Sequence, residues 1–261
     1  GDAANNADTV SGSSPGTSFT SAYTINASDT DGTVAISVTA TDVAGNTTSG
    51  FTTISAGSVT VDQTAPASQK TQGVVTTGGD NQVAGYWNSG NTGVDITVPI
   101  ADDSSINGGT VQLLVSTDGG GSFVPLDTPS TISAVNTNKT ISVAGGVLEG
   151  VAGFGESDVL QFKATITDTS GNATTGTVSD TTLTVDQTAA TISTSSIASD
   201  NETVTLAKAG DTVTLTIATN ENVSSPTVTF TSGGAAATNA DTVSGASPGT
   251  SFTSAYTVDA S

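Results

Sequence analysis

Residues 1–28 (GDAANNADTVSGSSPGTSFTSAYTINAS) return near the other end of the chain as residues 234–261 (GAAATNADTVSGASPGTSFTSAYTVDAS). The two copies differ at five positions: Asp2/Ala235, Asn5/Thr238, Ser13/Ala246, Ile25/Val258 and Asn26/Asp259. Shorter repeats lie between them. Val61-Asp62-Gln63-Thr64 recurs as Val185-Asp186-Gln187-Thr188, and Asp42-Val43-Ala44-Gly45-Asn46 as Asp168-Thr169-Ser170-Gly171-Asn172. Self-similarity at this spacing is the signature of arrayed units. The chain therefore reads as a window on a tandem array. Near-identical copies serve length and spacing better than they serve catalysis.

Between the repeats the pattern is that of strands. Thr33–Thr41 sets Val34, Ile36, Val38 and Ala40 against polar neighbours, and Thr212–Thr219 does the same with Val213, Leu215 and Ile217. Val159–Thr167 puts Leu160, Phe162, Ala164 and Ile166 on one face and Gln161, Lys163 and Thr165 on the other. Period-two alternation means one buried face and one wet face. Turn clusters recur at roughly 8–12 residues, the spacing of all-β domains, and no convincing amphipathic helix is visible. The expected fold is all-β, with tandem immunoglobulin-like sandwiches in an extended array.

The V-D-Q-T stretches read as domain junctions, and Pro66 after the first fixes φ and ends strand pairing. The expected organisation is a complete domain at 64–187, the C-terminal part of another domain at 1–63, and the N-terminal part of its next copy at 188–261. Joining 188–261 to 29–63 rebuilds a domain of ordinary size for a seven-stranded sandwich. Each half alone should show open strand edges and a bare apolar face, an aggregation hazard. Two solutions are open. The missing half lies in flanking sequence, or the N-terminal half of one chain completes the C-terminal half of another.

Charge narrows the partners. There are 24 acidic residues against four lysines (Lys70, Lys139, Lys163, Lys208), no arginine or histidine, and a net charge of −20. No basic patch can neutralise phosphates, which argues against nucleic acid and anionic membrane surfaces. The balance suits a cation partner, a salty extracellular medium, or simply the solubility of a long acidic rod. Cysteine and methionine are absent, so rigidity has to come from sheets, burial or metal. No apolar run approaches the 18 residues of a membrane span.

The succession of apolar strand, D-x-x-G-N turn, strand and V-D-x-T resembles the bacterial immunoglobulin-like repeats of giant surface proteins, including type I-secreted adhesins and biofilm-associated proteins. Val38–Asn46 leading to Val59–Pro66 carries it once, and Ala164–Asn172 leading to Leu183–Thr188 carries it again. Lys208-Ala209-Gly210-Asp211-Thr212-Val213 looks like the entry to the second strand of such a domain. Domain 64–187 departs by an insert around Asp118–Lys139 and by Ala189-Ala190 in place of the junction proline. The resemblance implies an extracellular array on the cell surface, with calcium commonly held between repeats.

Calcium asks for six to eight hard oxygens, and the turns offer Asp and Asn but no soft ligands for zinc or copper. In a seven-stranded sandwich the B–C loop (Asp102, Asp103) and the F–G loop (Asp168, Asn172) should meet the incoming linker (Asp62) at one end of the domain. At the next junction the set is Asp186 with Glu221 and Asn222, and its third member would be the next copy's equivalent of the Asp42/Asn46 loop. The far end could gather Asp29 and Asp31 with Asp200 and Asn201. Against this stands the plain alternative: Asp and Asn in turns cap their own backbone, and D-x-x-G-N could be a hairpin turn and nothing more.

Enzyme chemistry has little to draw on. Without His or Cys there is no Ser-His or Cys-His dyad, and paired carboxylates such as Asp102-Asp103 read as solvated turn residues. Ser116–Phe123 resembles the Asp-box hairpin of sialidase-type propellers, where it is structural. Tyr86-Trp87 is the one large aromatic step, suited to stacking on a sugar or to packing over a domain edge. The expectation is a calcium-stiffened spacer stalk whose partners are neighbouring repeats. The alternatives are a filament or sheath subunit completed by a second chain, and a carbohydrate-binding module with a glycan or matrix partner.

Overall fold

The computed structural model describes residues 10–48, 50–79, 81–237 and 242–259. It is built almost wholly of strands and divides into two compact units, Gly1–Gln187 and Thr188–Ser261.

In the first unit, residues 10–63 hold little regular pairing. β1 (Gly32–Thr33) and β2 (Thr60–Val61) form a two-stranded ladder, and isolated bridges join Ser11 to Thr20, Val38 to Phe51 and Thr41 to Thr47. The continuous strand expected over Thr33–Thr41 is not formed. Its alternation needs a buried face, and Ile36 and Val38 stay 43% and 50% exposed. With no sheet to pack on, the apolar side chains give the strand no burial energy to offset the entropy of ordering it.

Residues beyond Val61 make two facing sheets. β3 (Gln72–Thr77), β5 (Gly93–Ile100) and β8 (Thr137–Ala144) form one, antiparallel throughout. The other runs in the order β4 (Tyr86–Trp87), β11 (Leu183–Val185), β9 (Val159–Thr167), β6 (Thr110–Ser116), β7 (Val124–Thr131), with β10 (Ala173–Thr175) also on β9. Only β4 and β11 run parallel. β9 has the expected bounds, and its Leu160, Phe162, Ala164 and Ile166 are all buried in one core with Val94, Ile96 and Val98 of the opposite sheet. Burying each such side chain stabilises the fold by roughly 1.5–3 kcal/mol. The insert after Ser116 becomes a hairpin to β7 followed by the crossing to β8. One short helix, α1 (Gly145–Glu149), and a 3₁₀ turn at Ser104–Ile106 fill connections. Five residues are too few to show helical periodicity.

The second unit is a single three-stranded sheet, β12 (Ile192–Ser199), β13 (Thr212–Val223) and β16 (Gly249–Thr257), with a small hairpin of β14 (Thr231–Ser232) and β15 (Ala235–Ala236). Phe252 of β16 is buried at 1% exposure and Ile217 of β13 at 6%, while Ile192 and Ile197 of β12 are 63% exposed each. No helix among the described residues is long and apolar enough to cross a membrane.

Candidate functional site

The candidate site is the joint where the first V-D-Q-T meets the sandwich. Its central piece is the D-x-x-G-N turn. Asp168 Oδ1 accepts the N–H of Ser170 (2.9 Å) and of Asn172 (2.8 Å), and its Oδ2 accepts Asn172 Nδ2 (2.9 Å). Asp168 N donates to Asn172 O (3.0 Å), which closes the hairpin between β9 and β10. Gly171 supplies the positive φ (98°) that the turn needs and side chains avoid. The earlier copy uses the same bonds: Asp42 Oδ1 takes Ala44 N (2.9 Å) and Asn46 N (2.8 Å), Oδ2 takes Asn46 Nδ2 (2.8 Å), and Gly45 has φ 91°. The Asn46 amide and backbone N–H hold the Asp42 carboxyl below the usual carboxylate range.

The linker docks on this turn. Ser170 Oγ donates to Asp62 Oδ2 (2.8 Å), and Asn172 Nδ2 donates to Asp62 O (3.1 Å). The B–C loop reaches the same place: Thr169 donates to Ser105 O through N and Oγ1, each at 3.2 Å. Asp103 caps the 3₁₀ turn beneath, accepting Ser105 N (2.9 Å) and Ser105 Oγ (2.7 Å). The three segments expected to converge, carrying Asp62, Asp103 and Asp168/Asn172, are thus in one hydrogen-bonded chain. Asp102 is exposed beside it.

The glutamine of V-D-Q-T proves to be the anchor of the linker. Gln63 N donates to Asp31 Oδ1 (2.7 Å), and Gln63 Nε2 donates to Asp29 O (2.9 Å). The Thr64 hydroxyl also binds Asp31, and with the Gln63 N–H it holds that carboxyl below its ordinary range. Asp29 Oδ2 accepts Asn26 N (2.7 Å). At the other end of the sandwich, Gln187 N donates to Glu156 Oε2 (2.9 Å) and Gln187 Nε2 to Glu149 Oε1 (2.7 Å). Asp186 is half-buried, and its N–H donates to Trp87 O (2.8 Å). Glu149, Glu156, Ser105 and Ser170 did not stand out in the sequence. The signal that could have led to them was the glutamine itself, repeated in place at both joints.

The aromatic step splits. Trp87 is fully buried, with Nε1 donating to Glu149 Oε1 (3.1 Å), and only Tyr86 is exposed. A buried indole has no face on which a sugar could stack. The Asp-box is a closed turn as well: Ser122 N and Oγ donate to Asp118 (3.0 and 2.9 Å), and bonds from the Ser116 and Ser122 groups depress its carboxyl strongly.

In the second unit, Asp200 Oδ1 accepts Thr212 N (2.8 Å), and Asn201 Nδ2 donates to Asp211 Oδ2 (2.6 Å). Glu221 and Asn222 lie inside β13 rather than in a loop. Among the described residues no group of three or more acidic side chains sits close enough to hold a metal ion. At the joint, both Asp168 oxygens and Asp62 Oδ2 already accept donors. These donors use part of the acceptor capacity of the two carboxylates. No protein-family model and no curated protein matches the chain.

Proposed function

We propose that the chain is a spacer segment of an extracellular bacterial surface fibre, a run of immunoglobulin-like sandwiches that holds a distal element away from the cell. One observation carries this reading: the joint is what the sequence repeats. Both glutamines donate their backbone N–H to a carboxylate and their amide to a second acceptor, and the first joint is bonded onward to the next sandwich through Asp62. A binding protein repeats its ligand contacts. This chain repeats the anchoring of each V-D-Q-T glutamine onto the segment before it, as arrayed units would.

The fastening is made of direct hydrogen bonds, each worth roughly 0.5–1.5 kcal/mol net. Calcium belongs to the proposal as an added stiffener at Asp62, Asp103 and Asp168. Small-angle scattering of the chain in calcium and in chelator tests that part. A smaller spread of shapes in calcium supports it, and superimposable curves remove the ion while leaving the hydrogen-bonded joint. The location is tested with antibodies against the chain on intact cells of the source organism. Surface labelling is expected, and labelling only after permeabilisation overturns the reading.

A further inference from the structure

Residues 10–26 and 243–259 have the same sequence apart from Ser13/Ala246, Ile25/Val258 and Asn26/Asp259. They also share local structure. Ser11 and Thr20 exchange backbone bonds at 2.8 and 2.9 Å, and Ser244 and Thr253 at 2.7 and 2.8 Å. The two glycines that follow those serines, Gly12 and Gly245, have φ values of 148° and 149°. Their surroundings are opposite. The later copy lies along β13, with Ile217 opposite Phe252 and Ala218 opposite Ser251, and Phe252 is 1% exposed. In the earlier copy the corresponding Phe19 is 50% exposed, beside an open groove it shares with Val38.

The segment covalently attached to the earlier copy is equally uncovered. Phe51 is 56% exposed, Ile54 45% and Val59 60%. On the sheet where the later copy is seated, Ile192 and Ile197 stand open. Two incomplete apolar surfaces are thus each tied to one copy of a single docking strand. We propose that residues 10–63 of a second copy of this chain complete the sheet of residues 188–259. The incoming residues 10–26 take the place of 243–259 beside β13, continuing an interface already present, and carry 29–63 onto the bare sheet face.

The exchange is close to neutral for the strand, because Phe19 fills the buried position that Phe252 vacates. The driving force is burial of the apolar residues of 29–63, which no intact β16 can supply. Since donor and acceptor are different surfaces, the interface is heterologous and propagates head to tail.

The chain has no cysteine, so each introduced pair reports a single strand pairing. Directly opposed strand residues have Cβ atoms about 4.5–5.5 Å apart. A chain carrying Ser18→Cys, mixed under mild oxidation with a chain carrying Ala218→Cys, should give a mixed disulfide dimer, because Ser18 corresponds to Ser251. Sedimentation of the unmodified chain should show size rising with concentration. Phe19→Asp, at an exposed position, should weaken that association at least about tenfold, since the carboxylate would be buried at the Phe252 site. Locking β16 with Ala218→Cys and Ser251→Cys in one chain should abolish it. The proposal is overturned by a monomer at every concentration with no mixed disulfide. It is equally overturned by association that survives both Phe19→Asp and the β16 lock. Calcium plays no part in these readouts, so they stand or fall apart from the stiffened-stalk reading.

Discussion

The turn at Asp42–Asn46 and the turn at Asp168–Asn172 are built with the same bonds, yet their settings differ sharply. Asp168 is 5% exposed, at the end of a sandwich whose core includes Phe162 and Trp87 at 0% exposure. Around Asp42 the nearby apolar residues are open, with Val43 at 89% and Phe51 at 56%. A five-residue motif is therefore sufficient to set its own hydrogen bonds and insufficient to bury anything. Burial requires a second sheet, which residues 64–187 possess and residues 10–63 lack.

The sharpest way to break this contrast is by truncating a phenylalanine on each side. Trp87 is the only tryptophan, and it is buried in the sandwich, so its fluorescence reports unfolding of that region alone. Phe162→Ala should cost about 3–5 kcal/mol in denaturant unfolding followed by that signal, the usual range for a buried aromatic. Phe51→Ala should change it by less than about 0.5 kcal/mol, as for an exposed position. A comparable loss from Phe51→Ala would mean that residues 10–63 are packed in solution, and the contrast would fail.

Next in size are the turn acids. Asp168→Ala removes three acceptor bonds at a buried position and takes that partner from the Ser170 and Asn172 N–H groups, so a loss of about 2–3 kcal/mol is expected. The matching Asp42→Ala should leave the Trp87 transition in place, because its turn closes only on itself. If both substitutions shift the transition equally, the two turns are energetically coupled and the locality of the motif is disproved.

A smaller effect belongs to the far joint. Glu149→Ala takes the acceptor from both the Trp87 indole and the Gln187 amide, for about 1–2 kcal/mol and a shifted Trp emission. Gln187→Ala should cost about 1 kcal/mol and leave the emission unchanged, since the indole bond remains. Equal emission shifts from the two variants would show that Gln187, rather than Glu149, positions the ring.

These sizes also show how far the fold is legible in the sequence. β9 was legible because its alternation coincides with a face that is in fact buried, from Leu160 to Ile166. Thr33–Thr41 alternates just as well and stays largely unpaired, because alternation records what a strand would bury and says nothing about whether a partner is at hand. The approach of the linker, the B–C loop and the F–G loop to one another was legible from strand direction. What occupies their carboxylate oxygens was not, since Ser170, Ser105 and the backbone donors carry no charge pattern to find. Glu149 and Glu156 escaped notice because their partner Gln187 is distant in sequence and the contact exists only once the sandwich closes. Trp87 was indistinguishable from an exposed platform until its side chain was seen packed in the core from an edge strand.

The smallest expected effect concerns a third turn acid, Asp211, which residues 188–259 supply and neither D-x-x-G-N turn contains. It is 8% exposed and accepts Asn201 Nδ2 (2.6 Å), Lys208 N (2.8 Å) and Lys208 Nζ (2.9 Å). The Asn201 amide first, then the Lys208 backbone and ammonium groups, lower its carboxyl from 3.8 to about 2. A carboxyl depressed in the folded state stabilises that state above its unfolded pKa. The contribution is lost as pH falls through the folded value. The loss should begin below about pH 4 and be complete below about pH 2. Asp31, Asp42 and Asp118 are shifted in the same direction, so a bulk acid titration would mix the four. The Asp211 carboxyl resonance followed by NMR separates them: a midpoint of about 2 is expected, and Asn201→Ala should move it upward. A midpoint at the ordinary 3.8 would mean that Asn201 and Lys208 do not close on Asp211 in solution. This turn, unlike the two D-x-x-G-N turns, would then not set its own hydrogen bonds.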